Sequence, residues 1–224
     1  MLVLALDTTT RRGSCAVVQD GRVLREDISD PERAHTTRLP ADLMVLLART
    51  DLRLSDIDVF AVAIGPGSFT GLRIGIAAMQ GLAFATRRPL IGISTLDALA
   101  SVAGGEQVTT WVDAWRGEVY ASRYQNGMAI ASPVVSHPDD LLRDIDSATT
   151  FVGDATQTYR EAIAQALGSR ASFHEPASPA LAATIGRLAL EEAGRGHLPT
   201  PHAIRPLYVR RPEVELTREA RRGR

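Results

Sequence analysis

A chain of 224 residues, 45% hydrophobic and 23% charged, is long enough for one large domain or two small lobes with real cores. Its net charge of −1 gives no general pull toward nucleic acid or anionic lipid, although from Arg205 onward seven Arg stand against three Glu. All 25 basic residues are arginine, so a Walker-type phosphate lysine, a Schiff-base lysine and a kinase lysine are all excluded.

Leu2–Asp7 reads as a short buried strand. It is too short and lacks the basic start of a signal peptide, and no apolar run reaches membrane length. The lone cysteine, Cys15, makes no internal disulfide, so a cytoplasmic setting without membrane attachment is expected. Gly13–Gln19 and Arg22–Ile28 form a predicted hairpin around Asp20-Gly21. A helix is predicted over Thr36–Arg49, with Pro40 in its first turn. Asp58–Ile64 is a strand, followed by the loop Gly65-Pro66-Gly67-Ser68-Phe69-Thr70-Gly71 and a helix to about Thr86. Pro89–Ile93 and Thr95–Ala103 follow as strand and helix, and Ala103-Gly104-Gly105 marks a lobe boundary.

The second half begins like the first. Thr110–Asp113 is a strand ending in aspartate, as the opening strand does, and Gly117 introduces a second strand that turns at Asn126-Gly127. Helix 139–145, strand Thr149–Val152 and helices 159–167 and 179–193 complete it. This repetition predicts an α/β chain of two duplicated lobes with mixed sheets, 1–103 and 104–210. The last helix, 179–193, is expected to pack back on the first lobe, and 211–224 to form a mobile arginine-rich tail.

Few residues offer chemistry. Gly65, Gly67, Ser68 and Thr70 lie between a strand and a helix N-terminus, where free N–H groups favour an anion; the alternative is a tight turn with no ligand. Asp7 with Thr8 and Thr9, and Asp113 in the other half, could hold Mg²⁺ beside a polyphosphate, or each aspartate could cap its own turn. No histidine pair has metal-binding spacing on a helix, no Gly-x-Ser-x-Gly is present and Cys15 falls in a strand, so no catalytic or metal residue is assigned. Two helices carry surplus apolar surface: one through Leu43, Leu46 and Leu47, the other through a stripe at Gly71, Gly75, Ala78 and Leu82. One reading is an internal helix pair; the other makes these residues a face for a second protein.

The run Gly65-Pro66-Gly67-Ser68-Phe69-Thr70-Gly71-Leu72-Arg73-Ile74-Gly75 resembles the signature of the TsaB family. So do Asp7-Thr8-Thr9, His35-Thr36, Pro89–Asp97 and Pro206-Leu207-Tyr208-Val209-Arg210. The resemblance implies the fold shared by actin, the Hsp70 ATPase and the sugar kinases. It also implies a part in making N6-threonylcarbamoyladenosine beside the anticodon of tRNAs that read codons starting with A. The implied partners are a TsaD-type transferase, bound through the two helices, a TsaE-type ATPase, and tRNA through the complex; alone, such a chain is expected to cover the same face by homodimerising. TsaD-type chains carry a His-x-x-x-His metal motif that falls on Thr95 and Leu99 here, and Val152-Gly153-Asp154 offers one glycine in place of the adenosine-binding pair. The transferase centre is therefore absent, and ATP or ADP is expected only weakly or at the partner interface. The alternative is a stand-alone ATPase or small-molecule kinase of the actin-like fold.

Overall fold

The computed structural model describes residues 1–10, 13–30 and 35–209. The stretch expected to form an arginine-rich tail, 211–224, lies outside them. The first half runs β1 (Leu2–Asp7), β2 (Ser14–Gln19), β3 (Arg22–Ile28), α1 (His35–Arg49), β4 (Val59–Gly65), α2 (Phe69–Thr86), β5 (Leu90–Ser94) and α3 (Thr95–Ala103). The second half runs β6 (Gln107–Asp113), β7 (Val119–Gln125), β8 (Met128–Ala129), β9 (Val134–Ser136), α4 (Pro138–Arg143), β10 (Thr149–Val152), α5 (Ala155–Thr158), α6 (Arg160–Leu167), β11 (Ala171–Phe173) and α7 (Ala182–Gly194).

Among the described residues the strands form two mixed sheets, ordered β3-β2-β1-β4-β5 and β11-β10-β6-β7-β8, with β9 also on β7. In each, an antiparallel hairpin continues into parallel strands: β1 pairs antiparallel with β2 and parallel with β4, and β6 likewise with β7 and β10. This is the duplicated architecture of the actin-like ATPase fold. β1 and β4 are buried almost throughout, because both faces of the first sheet are covered.

Helices α1 and α2 cover one face, packing Leu39, Leu43, Leu46, Ile76 and Met79 against Leu4, Phe60 and Val62. The other face carries Val3, Ala5, Ala16, Val18 and Ala61, and helices α3 and α7 fill the space between the two sheets. The outer face of the second sheet packs Trp111 and Phe151 against α4 and α6. The small inner residues of β1, β2 and β4 let α7 come close: a Cβ on Gly186 would lie 2.7 Å from Val18 and 3.4 Å from Ala5.

The N-terminus of α7 is held from the first lobe. The Ser14 hydroxyl accepts from the N–H groups of Leu181 and Ala182 at 3.2 and 3.0 Å, and Glu26 accepts from Ala183 at 2.9 Å. These bonds satisfy donors that a helix start leaves open. Pro40 lies at the sixth position of α1, beyond the predicted first turn, on the solvent side. After α7 the chain returns along the first lobe: Pro199 accepts from Leu90 N–H, Gln80 donates to the carbonyls of Pro201 and Ile204, and Leu207 N–H donates to Ile64.

Candidate functional site

The turn after β1 and the loop after β4 interlock. The buried carboxylate of Asp7 accepts from Thr9 N–H at 2.8 Å and from the Thr9 hydroxyl at 2.6 Å, an Asx-type turn. The Thr8 hydroxyl donates to the Gly71 carbonyl at 2.8 Å, and Ser68 N–H donates to the Thr9 carbonyl at 2.9 Å. Gly71 N–H is capped by the Ser68 hydroxyl.

The glycines are required by this embrace. A Cβ on Gly67 would stand 2.7 Å from that of Thr9, one on Gly71 would overlap the Thr8 carbonyl oxygen, and one on Gly75 the Thr8 hydroxyl. Gly65, at φ +102°, lies against Leu72 and the Leu207 carbonyl. Several donors that could cradle a phosphate, among them Thr9, Ser68 and Gly71 N–H, are thus bonded within the chain. Thr70 is exposed at the first turn of α2.

The second lobe repeats the turn. Asp113 accepts from Trp115 N–H at 2.9 Å, again two residues on, while its own N–H donates to Asp154 at 3.0 Å. Burial, with Asp113 nearby, pushes the Asp154 carboxyl above its ordinary range. A Cβ on Gly153 would overlap the Trp111 carbonyl, so this glycine serves the crossing of β6 and β10. Each aspartate caps its own turn. Among the described residues no three His, Cys, Asp or Glu side chains converge as metal ligands. Thr95 and Leu99 are buried in the core between the sheets.

The stripe singled out in the two helices needs correction. Leu43, Leu46 and Leu47 are buried in this chain's own core, so they are the inward face of α1. Gly71 and Gly75 are buried too, and the backbone that approaches them is this chain's own Thr8 turn. Ala78 and Leu82 are half-buried. The outward residues are Ala41, Met44, Val45 and Ala48 on α1 and Ala77, Gly81, Phe84 and Ala85 on α2. Met44 is 65% exposed and Phe84 79%, and a Cβ on Gly81 would meet nothing within 4 Å. The signal was present as an i, i+3/i+4 alternation within an unbroken apolar run. Both helices lie side by side on one sheet face, and these outward residues are apolar, the large Met44 and Phe84 standing among small ones.

Comparison with known proteins places this geometry. The family model described as TsaD, tRNA N6-adenosine threonylcarbamoyltransferase, matches residues 27–220. The tRNA threonylcarbamoyladenosine biosynthesis protein TsaB of Escherichia coli is 36% identical over 173 residues, 71% of this chain and 74% of that protein. The uncharacterized protein ML0378 of Mycobacterium leprae is 36% identical over 156 residues, 68% of this chain, and this chain spans only 43% of its length. Among solved structures, YeaZ from Pseudomonas aeruginosa superposes with a TM-score of 0.78 at 31% identity, covering 92% of this chain and 99% of that one.

Proposed function

The chain belongs to the TsaB family, and from that premise we propose that it is the non-catalytic subunit of the assembly that forms N6-threonylcarbamoyladenosine on tRNA. It acts by binding a TsaD-type transferase through the outward face of α1 and α2. The observation that carries this reading is that face: Met44, Val45, Ala77, Gly81 and Phe84 are apolar and open to solvent. A solvent-facing glycine inside an 18-residue helix weakens it unless another backbone must come close.

The family model supports this occupant, since its match over residues 27–220 includes α1 and α2. Two like helix pairs would pack as a four-helix bundle about a pseudo-two-fold axis. A second copy of this chain covers the face when the partner is missing. A TsaE-type ATPase and tRNA complete the assembly.

The non-catalytic role is supported by the residues at the positions that matter for transfer. Thr95 and Leu99 stand where the transferase pattern has imidazoles, and neither replaces an imidazole as a ligand. The Asp7 and Gly67–Gly71 turns spend their donors on each other, so the isolated chain holds no nucleotide tightly. A stand-alone ATPase or sugar kinase is disfavoured on the same ground. Among the described side chains, the histidines give a peptidase no support: His137 and His174 bond backbone carbonyls, His197 bonds Glu192 and His202 bonds Thr200.

Calorimetry against the TsaD-type partner tests the proposal, together with threonylcarbamoyl transfer to tRNA with and without this chain. Stoichiometric binding and transfer that depends on the chain are expected. Tight nucleotide binding with turnover by the isolated chain would instead establish the kinase-like reading.

A further inference from the structure

The second sheet is broken at its edge, and a cavity occupies the break. β8 pairs with β7 at Tyr124 and Gln125, and β9 pairs with it from Val119 to Ala121. Residues 130–133 between them arc away, with Ile130 N–H reaching back to the Arg123 carbonyl at 2.9 Å. On the outer face this leaves a cavity of about 190 Å³ enclosed by β6, β7, the arc and the end of α4. Its walls are mostly apolar, built from Trp111, Ala121, Val134, Leu141 and Ile145.

Two donor groups in these walls have unused N–H bonds. Trp111 is fully buried and held by T-shaped contacts with Phe151 and Tyr159, at 5.3 and 6.3 Å between ring centroids. Its Nε1–H has no hydrogen-bond partner among the described residues. A ring face satisfies such a donor only weakly, and a buried N–H left unpaired is costly. Arg123 lines the same cavity. It donates to the Asp144 carbonyl at 2.9 Å, and no carboxylate lies within ion-pair distance of it among the described residues. A guanidinium has further donors to offer. The Thr109 hydroxyl on this wall is already bonded to that of Thr149 at 3.0 Å.

We propose that the cavity binds a small organic carboxylate with an apolar body. Its oxygens accept from Trp111 Nε1–H and Arg123, and its body lies against Val134, Leu141 and Ile145. An apolar cavity of about 150 Å³ holds a benzene-sized molecule. The volume here therefore suits a body of that size with one carboxylate, and is too small for a nucleotide. An anionic head is preferred to a neutral one because a guanidinium makes stronger, charge-assisted bonds to it. None of the lining residues belongs to α1 or α2, so the site lies apart from the face proposed for the transferase.

The probe is isovalerate, compared with isoamyl alcohol and isoamylamine, which keep the branched body and change the head. Each is titrated into the full-length, isotope-labelled chain while the indole N–H resonances are followed by NMR. Trp115→Phe, at an exposed turn, assigns the Trp111 signal. That signal is expected to move saturably with isovalerate, and the alcohol and amine to bind about tenfold more weakly or worse. Arg123→Met, at a half-buried position, should lower isovalerate affinity by a similar factor. Val134→Phe, at a position 44% exposed and paired with Ala121, should fill the cavity and abolish the response. Circular dichroism checks folding of both variants. A Trp111 signal that does not respond saturably to isovalerate overturns the site. Equal affinity for the three heads, measured on the wild-type chain alone, overturns the carboxylate as its ligand. Undiminished affinity in folded Arg123→Met or Val134→Phe overturns the proposal as well.

Discussion

Two glycines on α2 face opposite circumstances. At Gly71 a methyl group has nowhere to go, because the obstructing atom is the Thr8 backbone carbonyl rather than a flexible side chain. Gly71→Ala is expected to cost about 3 kcal/mol or more, read as a large drop in denaturant midpoint. Gly81→Ala meets open space and should stabilise the free chain by about 1 kcal/mol through helix propensity, while weakening any partner that packs there. A free chain no more stable than wild type would refute that account of Gly81. Glu26 permits a sign-defined statement. Burial raises its carboxyl above the ordinary value, with Asp7 adding and Arg187, Ser14 and Ala183 N–H opposing. The native state therefore binds this proton more tightly than the unfolded chain, so its stabilising effect is present at low pH and lost as pH rises through the raised value. Glu26→Gln keeps an acceptor for Ala183 N–H and should flatten the fall in melting temperature between acid and neutral pH. An unchanged slope would assign the effect elsewhere, for instance to Asp154, whose carboxyl is shifted the same way.

At the scale of elements, α3 was readable to the residue because Ser94 and Gly104 bracket it: the Ser94 hydroxyl caps Asp97 N–H and Gly104 turns out at φ +61°. β3 and β10 were equally legible, each framed by turn residues. The short strands β8, β9 and β11 were not, since two or three residues carry no period and gain their pairing only from β7 and β10. The candidate site was legible in composition but not in direction. The run Leu43–Ala48 looks apolar all round, and only the packed sheet decides that Leu43, Leu46 and Leu47 turn inward while Met44 and Val45 turn out. The glycine stripe misled for a related reason: small residues announce a close approach without saying whose. Substitution separates the two faces. Met44→Asp and Ala77→Arg are expected to leave the circular dichroism spectrum intact and to weaken the transferase by several kcal/mol, because an unpaired charge is buried on association. Leu46→Asp, at a fully buried position, should abolish folding. Wild-type affinity for folded Met44→Asp and Ala77→Arg would move the interface off these helices.

Across the whole molecule the inner faces of the two sheets share one core, while each outer face keeps its own. α7, from the second half of the sequence, packs on β1, β2, β4 and β5 of the first sheet, and α3, from the first half, packs on β6, β7 and β10 of the second. One continuous cluster thus joins Val3, Ala5 and Val18 to Val108, Val112 and Val152 through Leu96, Leu99, Ile185 and Ala189. Tyr124 of β7 reaches Asp97 of α3 with a 2.6 Å bond, and Ser14 and Glu26 cap α7 from the other lobe. Hinge motion between lobes, the habit of kinases, would have to break these caps and part this cluster, which suits a subunit that presents a fixed surface. The same exchange sets its unfolding. Both tryptophans, Trp111 and Trp115, lie in the second half, so their fluorescence reports on that half, whereas far-ultraviolet circular dichroism reports on both. The two signals are expected to share one denaturant midpoint, as they do when a chain unfolds as a single unit. Residues 1–103 made alone should not fold, because without α7 the inner face of the first sheet, Val3, Ala5, Ala16, Val18 and Ala61, loses its cover. Two separated midpoints, or a cooperatively folding 1–103 fragment, would mean that each lobe stands by itself and that the exchanged helices are only docked.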